Sequence, residues 1–172
     1  MANLIIDIGN TLCKVAVFEN QVITRNFQQA DIDFESLKKE IDFTDISICL
    51  ISSTRKKPDT LIADLLKVIR CIWLDIHLNL PFENKYATPE TLGKDRIALA
   101  AAAASEFKNQ NTLVIDVGTC LTFEIITDKN EYLGGAISPG MQMRFKSLNY
   151  FTEGLPLIHS KKPSDLIGNT TE

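Results

Sequence analysis

Short apolar runs separated by polar turns open the chain, and each run has the length and composition of a β-strand. The first three runs predict an antiparallel meander. Helical and strand-like periodicities then alternate up to about residue 75. The meander comprises Leu4 to Ile8, Cys13 to Phe18 and Val22 to Phe27, followed by a helix with Phe34, Leu37 and Ile41, a strand over Ile46 to Ile51, a helix over Asp59 to Ile69 and a strand over Cys71 to Leu74.

The second part of the chain restarts this pattern. A Pro-containing stretch from Leu80 to Pro89 predicts a crossover, and Arg96 to Phe107 is predicted to be helical because Ala is the best helix former. Strands are then predicted over Leu113 to Val117, Leu121 to Thr127 and Tyr132 to Ile137, with a helical pattern of Met141, Phe145 and Leu148 behind them. We therefore predict an α/β fold of two duplicated lobes, each a mixed β-sheet flanked by helices.

The two predicted lobes differ in length. Residues 1–110 hold the first lobe with its crossover helix, and residues 111–172 hold only the start of the second. We expect the chain to be an excerpt or a C-terminally shortened form of a longer protein.

One motif occurs in both lobes: two apolar residues, Asp, an apolar residue, Gly, and then Thr within two positions. A single Asp-x-Gly is usually only a turn. Two copies, each between two strand-like runs, indicate turns whose Gly lets backbone N–H groups point at phosphate oxygens and whose Thr adds a hydroxyl. The copies are Ile5-Ile6-Asp7-Ile8-Gly9-Asn10-Thr11 and Val114-Ile115-Asp116-Val117-Gly118-Thr119.

These loops predict a polyphosphate site with a cation. Asp7 and Asp116 on opposite walls of a cleft would repel each other and the phosphates, and Mg²⁺ suits such a sparse carboxylate set. Lys14 either adds positive charge near the phosphates or points to solvent, and strand alternation does not separate these alternatives.

The segment Thr91-Leu92-Gly93-Lys94-Asp95-Arg96 precedes the Ala-rich helix. Taken alone, Asp95 is most simply an N-cap or a first-turn acid. Its neighbours also suit a ligand, because Gly93 permits close approach, Arg96 offers a fork for a carboxylate, and a helix N-terminus favours anions. Asp95 could then accept a proton from a substrate hydroxyl. A third segment, Gly134 to Gly140, fits substrate clearance and a plain turn equally well.

Composition excludes several classes of function. The chain has 18 basic and 22 acidic residues and a net charge of -4, and no segment concentrates Lys and Arg, so nucleic acid and anionic membranes are poor partners. No apolar run is long enough to span a bilayer. Four dispersed cysteines argue against zinc and a disulfide framework, and we expect a cytoplasmic protein.

Together these segments resemble the type III pantothenate kinase family along the whole chain. The Gly-x-Asp-Arg element at residues 93–96 is the discriminating piece, because paired Asp-Gly loops alone indicate only the acetate-kinase, sugar-kinase, Hsp70 and actin superfamily. The resemblance implies ribonuclease-H-like (actin-like ATPase) lobes, a homodimer, and ATP-dependent phosphorylation of pantothenate in coenzyme A synthesis. Its motifs are completed by Gly134 to Gly140 and Gly168-Asn169-Thr170-Thr171.

The resemblance also implies roles for individual residues. Asp95 would be the general base. Asp116 would bind a monovalent cation, potassium or ammonium, in addition to Mg²⁺, and this replaces the Mg²⁺ at Asp116 inferred from the residues alone. Asp7 would remain the residue associated with the phosphate-bound Mg²⁺. Pantothenate would be contacted by Tyr86, Gly93, Lys94, Asp95, Arg96 and Thr171, and ATP by Asp7, Ile8, Gly9, Asn10, Thr11, Leu12, Cys13, Lys14 and Thr119.

Two departures from the family pattern stand out. Cys120-Leu121 replaces a small residue followed by Thr or Val, a change we expect to be tolerated. In the family a further C-terminal portion completes the second lobe and the adenosine side of the ATP site, and we expect that portion to lie outside this sequence. Thr171 fits a helix cap as well as a substrate contact.

Two other functions compete with pantothenate phosphorylation. One is a non-catalytic transcriptional or accessory regulator with the same fold. The intact residues 93–96 and both Asp-Gly loops argue against this alternative. The other is a kinase of another small hydroxy acid.

Overall fold

A computed structural model describes residues 1–56, 58–159 and 166–171. Within them the chain forms nine strands in two separate sheets, four α-helices and two short 3₁₀ turns. The predicted α/β fold with mixed sheets is confirmed, and the predicted strands and helices lie where expected to within a few residues. One exception is the second helix, which ends at Leu65 rather than Ile69, with Val68 in a turn and exposed.

The first sheet has five strands. The first three strands form the antiparallel meander, and the fourth and fifth strands add to its other edge in the direction of the first strand. The strand order is β3-β2-β1-β4-β5. The elements of this half are β1 (Ala2–Ile8), β2 (Cys13–Glu19), β3 (Val22–Gln29), α1 (Phe34–Glu40), β4 (Ile46–Ser53), α2 (Asp59–Leu65) and β5 (Arg70–Trp73).

Alternation along β1 separates the core from the site. Leu4, Ile6 and Ile8 point to one face and pack with the buried leucines of α1 and α2. Asp7 points to the opposite face, beside its ladder partner Lys14 on β2. The face of the sheet that lacks helices α1 and α2 thus carries the first charged residues of the site.

The second sheet has the order β6-β9-β8-β7, and β7, β8 and β9 form the predicted second meander. Strand β6 lies inside the predicted crossover and was not expected, because Glu83-Asn84 is too short and polar to register as a strand. It pairs in parallel with the start of β9. The elements are β6 (Glu83–Asn84), α3 (Lys94–Glu106), β7 (Thr112–Val117), β8 (Cys120–Ile126), β9 (Glu131–Pro139) and α4 (Met141–Phe151).

Helix α3 lies between the two sheets and contacts β4, β7 and β8. Its small buried residues Ala100, Ala103 and Ala104 allow close approach of the surrounding backbone, and Ile97 is fully buried among them. Leu50 of β4 packs against the same apolar cluster as residues of the second sheet. The helix therefore joins the two halves through one shared core.

The other face of the second sheet is apolar and exposed. Leu113, Ile115 and Val117 alternate along β7 with more than half of each side chain accessible, and α4 has no buried residue. In the described ranges, no helix combines the length and the apolar character needed to cross a bilayer.

Close packing of β8 against β9 predicts a strong effect of Gly135→Ala. A Cβ at residue 135 would overlap the carbonyl oxygen of Phe123 on the neighbouring strand, so the backbone would have to move. We expect the free energy of unfolding to fall by about 2 kcal/mol or more, measured by urea denaturation. Gly154→Ala is the control, because a Cβ there meets no atom within 4 Å, and a change below about 1 kcal/mol is expected. Equal effects of the two substitutions would contradict this packing.

Candidate active site

The two repeated motifs form tight turns that face each other. In the first turn, the N–H of Gly9 donates to the carbonyl oxygen of Leu12 at 3.0 Å, and in the second the N–H of Gly118 donates to that of Cys120 at 2.9 Å. The hydroxyls of Thr11 and Thr119 are 2.8 Å apart and share a hydrogen bond. Loops 108 residues apart in sequence therefore meet at one point.

A cavity of about 350 Å³ lies at this meeting point. It is lined by residues of both turns, by the start of α3 and by the ends of β4 and β8. The lining residues are Asp7, Gly9, Asn10, Thr11, Leu12, Lys14, Thr54, Asp95, Asp116, Gly118, Thr119, Cys120 and Thr122.

Three carboxylates therefore share one cavity. Asp7 and Asp116 come from equivalent positions of the two sheets, and Asp95 comes from the first turn of α3. Lys14 brings a cation to the same space and also borders a neighbouring cavity of about 460 Å³ over the first sheet. The concentration of negative charge favours a bound cation or a cation-phosphate complex.

Asp95 is half-buried and held by the backbone of its own helix. Gly93 is the N-cap, so Asp95 is a first-turn acid and not the cap residue. Its Oδ1 accepts a hydrogen bond from the N–H of Arg96 at 2.9 Å, and a Cβ on Gly93 would lie 2.5 Å from that oxygen. The absence of a side chain at residue 93 is what leaves room for the carboxylate.

The pKa of Asp95 is raised above the ordinary aspartate value. Burial is the main cause, and the negative charges of Asp7 and Asp116 add to it, while the N–H and the charge of Arg96 oppose it. A carboxylate whose pKa is raised is a better proton acceptor than an exposed aspartate.

Two buried hydroxyls accompany the carboxylates without partners of their own. Ser52 and Thr122 are the ladder partners of Asp7 and Asp116, and neither Ser52 Oγ nor Thr122 Oγ1 has a hydrogen-bond partner among the described residues. Sequence reasoning missed Thr122, although strand alternation could have placed it on the same face as Asp116. Thr54 also lines the cavity and was not predicted as a site residue, whereas Gly118 and Cys120 line it as the glycine of the second predicted phosphate turn and the residue after that turn.

Two predicted nucleotide-binding residues lie in the core instead of the cavity. Ile8 and Cys13 are buried beneath the first turn, at the last ladder pair of β1 and β2. Cys13 Sγ accepts a hydrogen bond from Arg55 Nη2 at 2.9 Å, and burial raises the pKa of its thiol. Any contact of these two residues with phosphate is therefore through the backbone.

Four residues predicted to contact the acceptor substrate lie beside the cavity without lining it: Tyr86, Gly93, Lys94 and Arg96. Lys94 Nζ is 2.9 Å from Asp75 Oδ2, in the segment after β5. That contact holds the pKa of Asp75 below its usual value, with help from the N–H of His77.

The sequence predicted that the guanidinium of Arg96 is available to bind a substrate carboxylate, but in the structure it is paired with another residue. Arg96 Nε and Nη2 donate to the two carboxylate oxygens of Glu124 on β8, at 2.7 and 2.8 Å, and both side chains are buried. Tyr132 donates its hydroxyl to Glu124 Oε2 at 2.5 Å. Glu124 was not predicted, and because it already occupies two donors of Arg96, only the rest of the guanidinium is left for a substrate.

Tyr86 covers the guanidinium of Arg96 from the other side, with the Arg96 Cζ 5.5 Å from the ring centroid. The ring rests on Gly134, whose φ of +98° and short distance to the ring exclude a side chain there. Gly134 thus clears space for Tyr86. Thr171 is exposed and does not line the cavity.

Comparison with known proteins decides the family. The family model for type III pantothenate kinase matches residues 3–172. The chain belongs to the type III pantothenate kinase family. Proteins named type III pantothenate kinase from Christiangramia forsetii and Bacteroides fragilis are 47% and 40% identical to it over 99% of the chain. The chain spans 71% and 70% of the length of these relatives.

Solved structures support the fold. A candidate transcriptional activator of the Baf family from Campylobacter jejuni superposes with a TM-score of 0.61 at 20% identity, covering 98% of this chain and 69% of that one. An activator of 2-hydroxyisocaproyl-CoA dehydratase from Clostridium difficile, solved with bound ADPNP, gives a TM-score of 0.50 at 12% identity, covering 86% and 50%. At these identities the likeness concerns the fold alone.

The shared cavity predicts that Asp7→Asn lowers the pKa of Asp95. The substitution removes a nearby negative charge that disfavours ionisation of Asp95, so its pKa should fall. The measurement is a ¹³C NMR titration of the Asp95 carboxyl in the ligand-free protein. Asp128→Asn, in the exposed turn between β8 and β9, is the control and should leave the pKa unchanged. An unchanged or raised pKa in Asp7→Asn would refute the electrostatic coupling.

Proposed function

We propose that this chain phosphorylates pantothenate at the expense of ATP, giving 4'-phosphopantothenate in the first step of coenzyme A biosynthesis. The observation that carries the proposal is that Asp95 lines the same cavity as both Asp-Gly turns. A proton acceptor and two phosphate-binding turns in one space are the parts that phosphoryl transfer to an alcohol requires.

The two turns bind the ATP phosphates in this proposal. Their backbone N–H groups and the hydroxyls of Thr11 and Thr119 would donate to phosphate oxygens, and the contact between these hydroxyls places the donors side by side. Lys14 would neutralise part of the phosphate charge, as its position on the cavity wall allows.

Asp95 acts as the general base on the pantothenate hydroxyl. Phosphoryl transfer depends mainly on alignment and charge neutralisation, with the proton leaving late, so a carboxylate of modest basicity is sufficient. The raised pKa of Asp95 increases that basicity.

The donors around the cavity fit Mg²⁺-ATP better than a metal ion held by protein ligands alone. The described residues contain no group of three or more His, Cys, Asp or Glu side chains arranged to hold a metal ion. Mg²⁺ commonly takes one or two carboxylates and completes its shell with water and phosphate oxygens, and Asp7 suits that use. Asp116, with the unpartnered Thr122 hydroxyl opposite it in the ladder, suits a monovalent cation, potassium or ammonium.

Pantothenate would lie on the α3 side of the cavity. Gly93 and Lys94 directly precede Asp95, and Arg96 follows it with Tyr86 over its guanidinium. The remaining donors of Arg96 could hold the carboxylate of a substrate there. Thr171 would contact the substrate from near the interface of a homodimer. Exposed apolar residues of α4 would form part of that dimer interface. We place this activity in the cytoplasm and divide the chain into lobes at residue 110.

The role of Asp95 predicts a specific loss in Asp95→Asn. Turnover of pantothenate should fall by about 100-fold or more because the base is lost, while pantothenate still binds. ADP release in a coupled assay measures turnover, and isothermal titration calorimetry measures binding. Asp128→Asn serves as the matched control and should keep full turnover. Full activity of Asp95→Asn would reject the base, and a substrate panel with acetate and sugar acids tests whether pantothenate is the acceptor.

The phosphate role of Lys14 predicts a selective loss of ATP affinity. Lys14→Gln should raise the KM for ATP by about tenfold, since one charge-assisted contact is removed, and should change the KM for pantothenate little. Lys129→Gln, in the exposed β8-β9 turn, is the control with no expected effect. An unchanged KM for ATP would show that Lys14 points to solvent during turnover.

A further inference from the structure

Two residues at the start of α3 are held by two different parts of the protein, and the residue between them lines the cavity. Lys94 pairs with Asp75 after the last strand of the first sheet, and Arg96 pairs with Glu124 inside the second sheet. Asp95 lies between them and lines the cavity. The helix start is thus fixed from both sides of the carboxylate.

The Arg96–Glu124 contact is the stronger of the two anchors. Glu124 has no exposed surface, and both of its oxygens accept hydrogen bonds from Arg96, with Tyr132 adding a third bond. A bidentate pair fixes the plane of the guanidinium, and burial protects the pair from screening by salt. A buried ion pair is a poor way to stabilise a fold, because desolvation offsets most of the attraction, so its geometric role is the more informative one.

We propose that Glu124 is a positioning residue for Asp95 and acts through Arg96. This inference rests on the proposed function, in which Asp95 is the base. With the Arg96 side chain fixed by Glu124, the N–H of Arg96 is also fixed, and this N–H donates to Asp95 Oδ1 at 2.9 Å. Tyr132 keeps Glu124 in the orientation that Arg96 needs.

The functional consequence follows from the sensitivity of proton transfer to distance. A displacement of about 1 Å in a reacting group can cost about 100-fold in rate. Loss of the anchor should therefore act on kcat, because the phosphate-binding turns contact neither Arg96 nor Glu124 in the described hydrogen bonds and should keep their affinity for ATP.

The test compares Glu124→Gln with Ile126→Val in the kinase assay with pantothenate. Glu124→Gln should lower kcat by about tenfold or more, on the scale of a lost charge-assisted hydrogen bond, and leave the KM for ATP within about twofold. Glu124→Asp, which keeps the charge, should recover part of the loss. Ile126→Val, on the same buried face of β8, should lower thermal stability without changing kcat.

A milder variant keeps the test decisive if Glu124→Gln does not fold. Tyr132→Phe removes one hydrogen bond to Glu124 and leaves the ion pair, and kcat should fall by about threefold. In an Asp95→Asn background, Glu124→Gln should cause no further loss in the residual single-turnover rate, because the group it positions is gone.

Several results would overturn the inference: an unchanged kcat in Glu124→Gln and Tyr132→Phe, a parallel change of kcat and the KM for ATP, or a full additional loss in the Asp95→Asn background. Wild-type protein without pantothenate phosphorylation would instead contradict the proposed function. The Arg96–Glu124 pair can be tested independently of activity by NMR. The Arg96 Nε–H should give a signal that is protected from solvent exchange in the wild type, and Glu124→Gln should abolish that protection. An unprotected Nε–H signal in the wild type would refute the pairing.

Discussion

The position of helix α3 between the two sheets is the constraint on which the site depends. Ile97 and the buried alanines of the helix share one apolar cluster with Leu50 of the first sheet and Ile126 of the second. Small side chains let both sheets approach, and hydrophobic burial holds them there. The two Asp-Gly turns face each other because the sheets that carry them are fixed on one helix.

Duplication explains why the cavity is so rich in charge. The first strand of each meander carries an aspartate near its end, on the face directed to the other half, so Asp7 and Asp116 come together in one cavity. The helix that joins the halves adds Asp95. Three carboxylates and the unpartnered hydroxyl of Thr122 line this polar cavity, which suits cations and phosphates.

Much of this architecture follows from local sequence features. The strands and helices are predictable because their apolar periodicities are strong, and the pairing of the two turns is predictable because the motif is repeated. Strand β6 was not predictable, because a two-residue strand shows no periodicity in sequence and is defined only by its pairing with β9. Helix α2 is likewise shorter than predicted, and Val68 lies exposed in the turn that follows it.

The ion pair of Arg96 is the main feature of the site that sequence reasoning missed. Its partner Glu124 is 28 residues away and lies within an apolar strand, so no local pattern joins the two. A signal existed nonetheless, because Glu124 shares its face of β8 with the buried Thr122 and Ile126, and a buried charge requires a partner. Lys94 and Arg96, predicted from the motif to contact the substrate, connect the motif to Asp75 and Glu124 in the rest of the fold.

A crystal structure of the protein with pantothenate and a non-hydrolysable ATP analogue tests the central claim most directly. The account predicts phosphates between the turns at Gly9 and Gly118, and the Asp95 carboxylate about 2.6–3.2 Å from the acceptor hydroxyl of pantothenate. Phosphates bound away from both turns, or an acceptor hydroxyl outside the reach of Asp95, would contradict it.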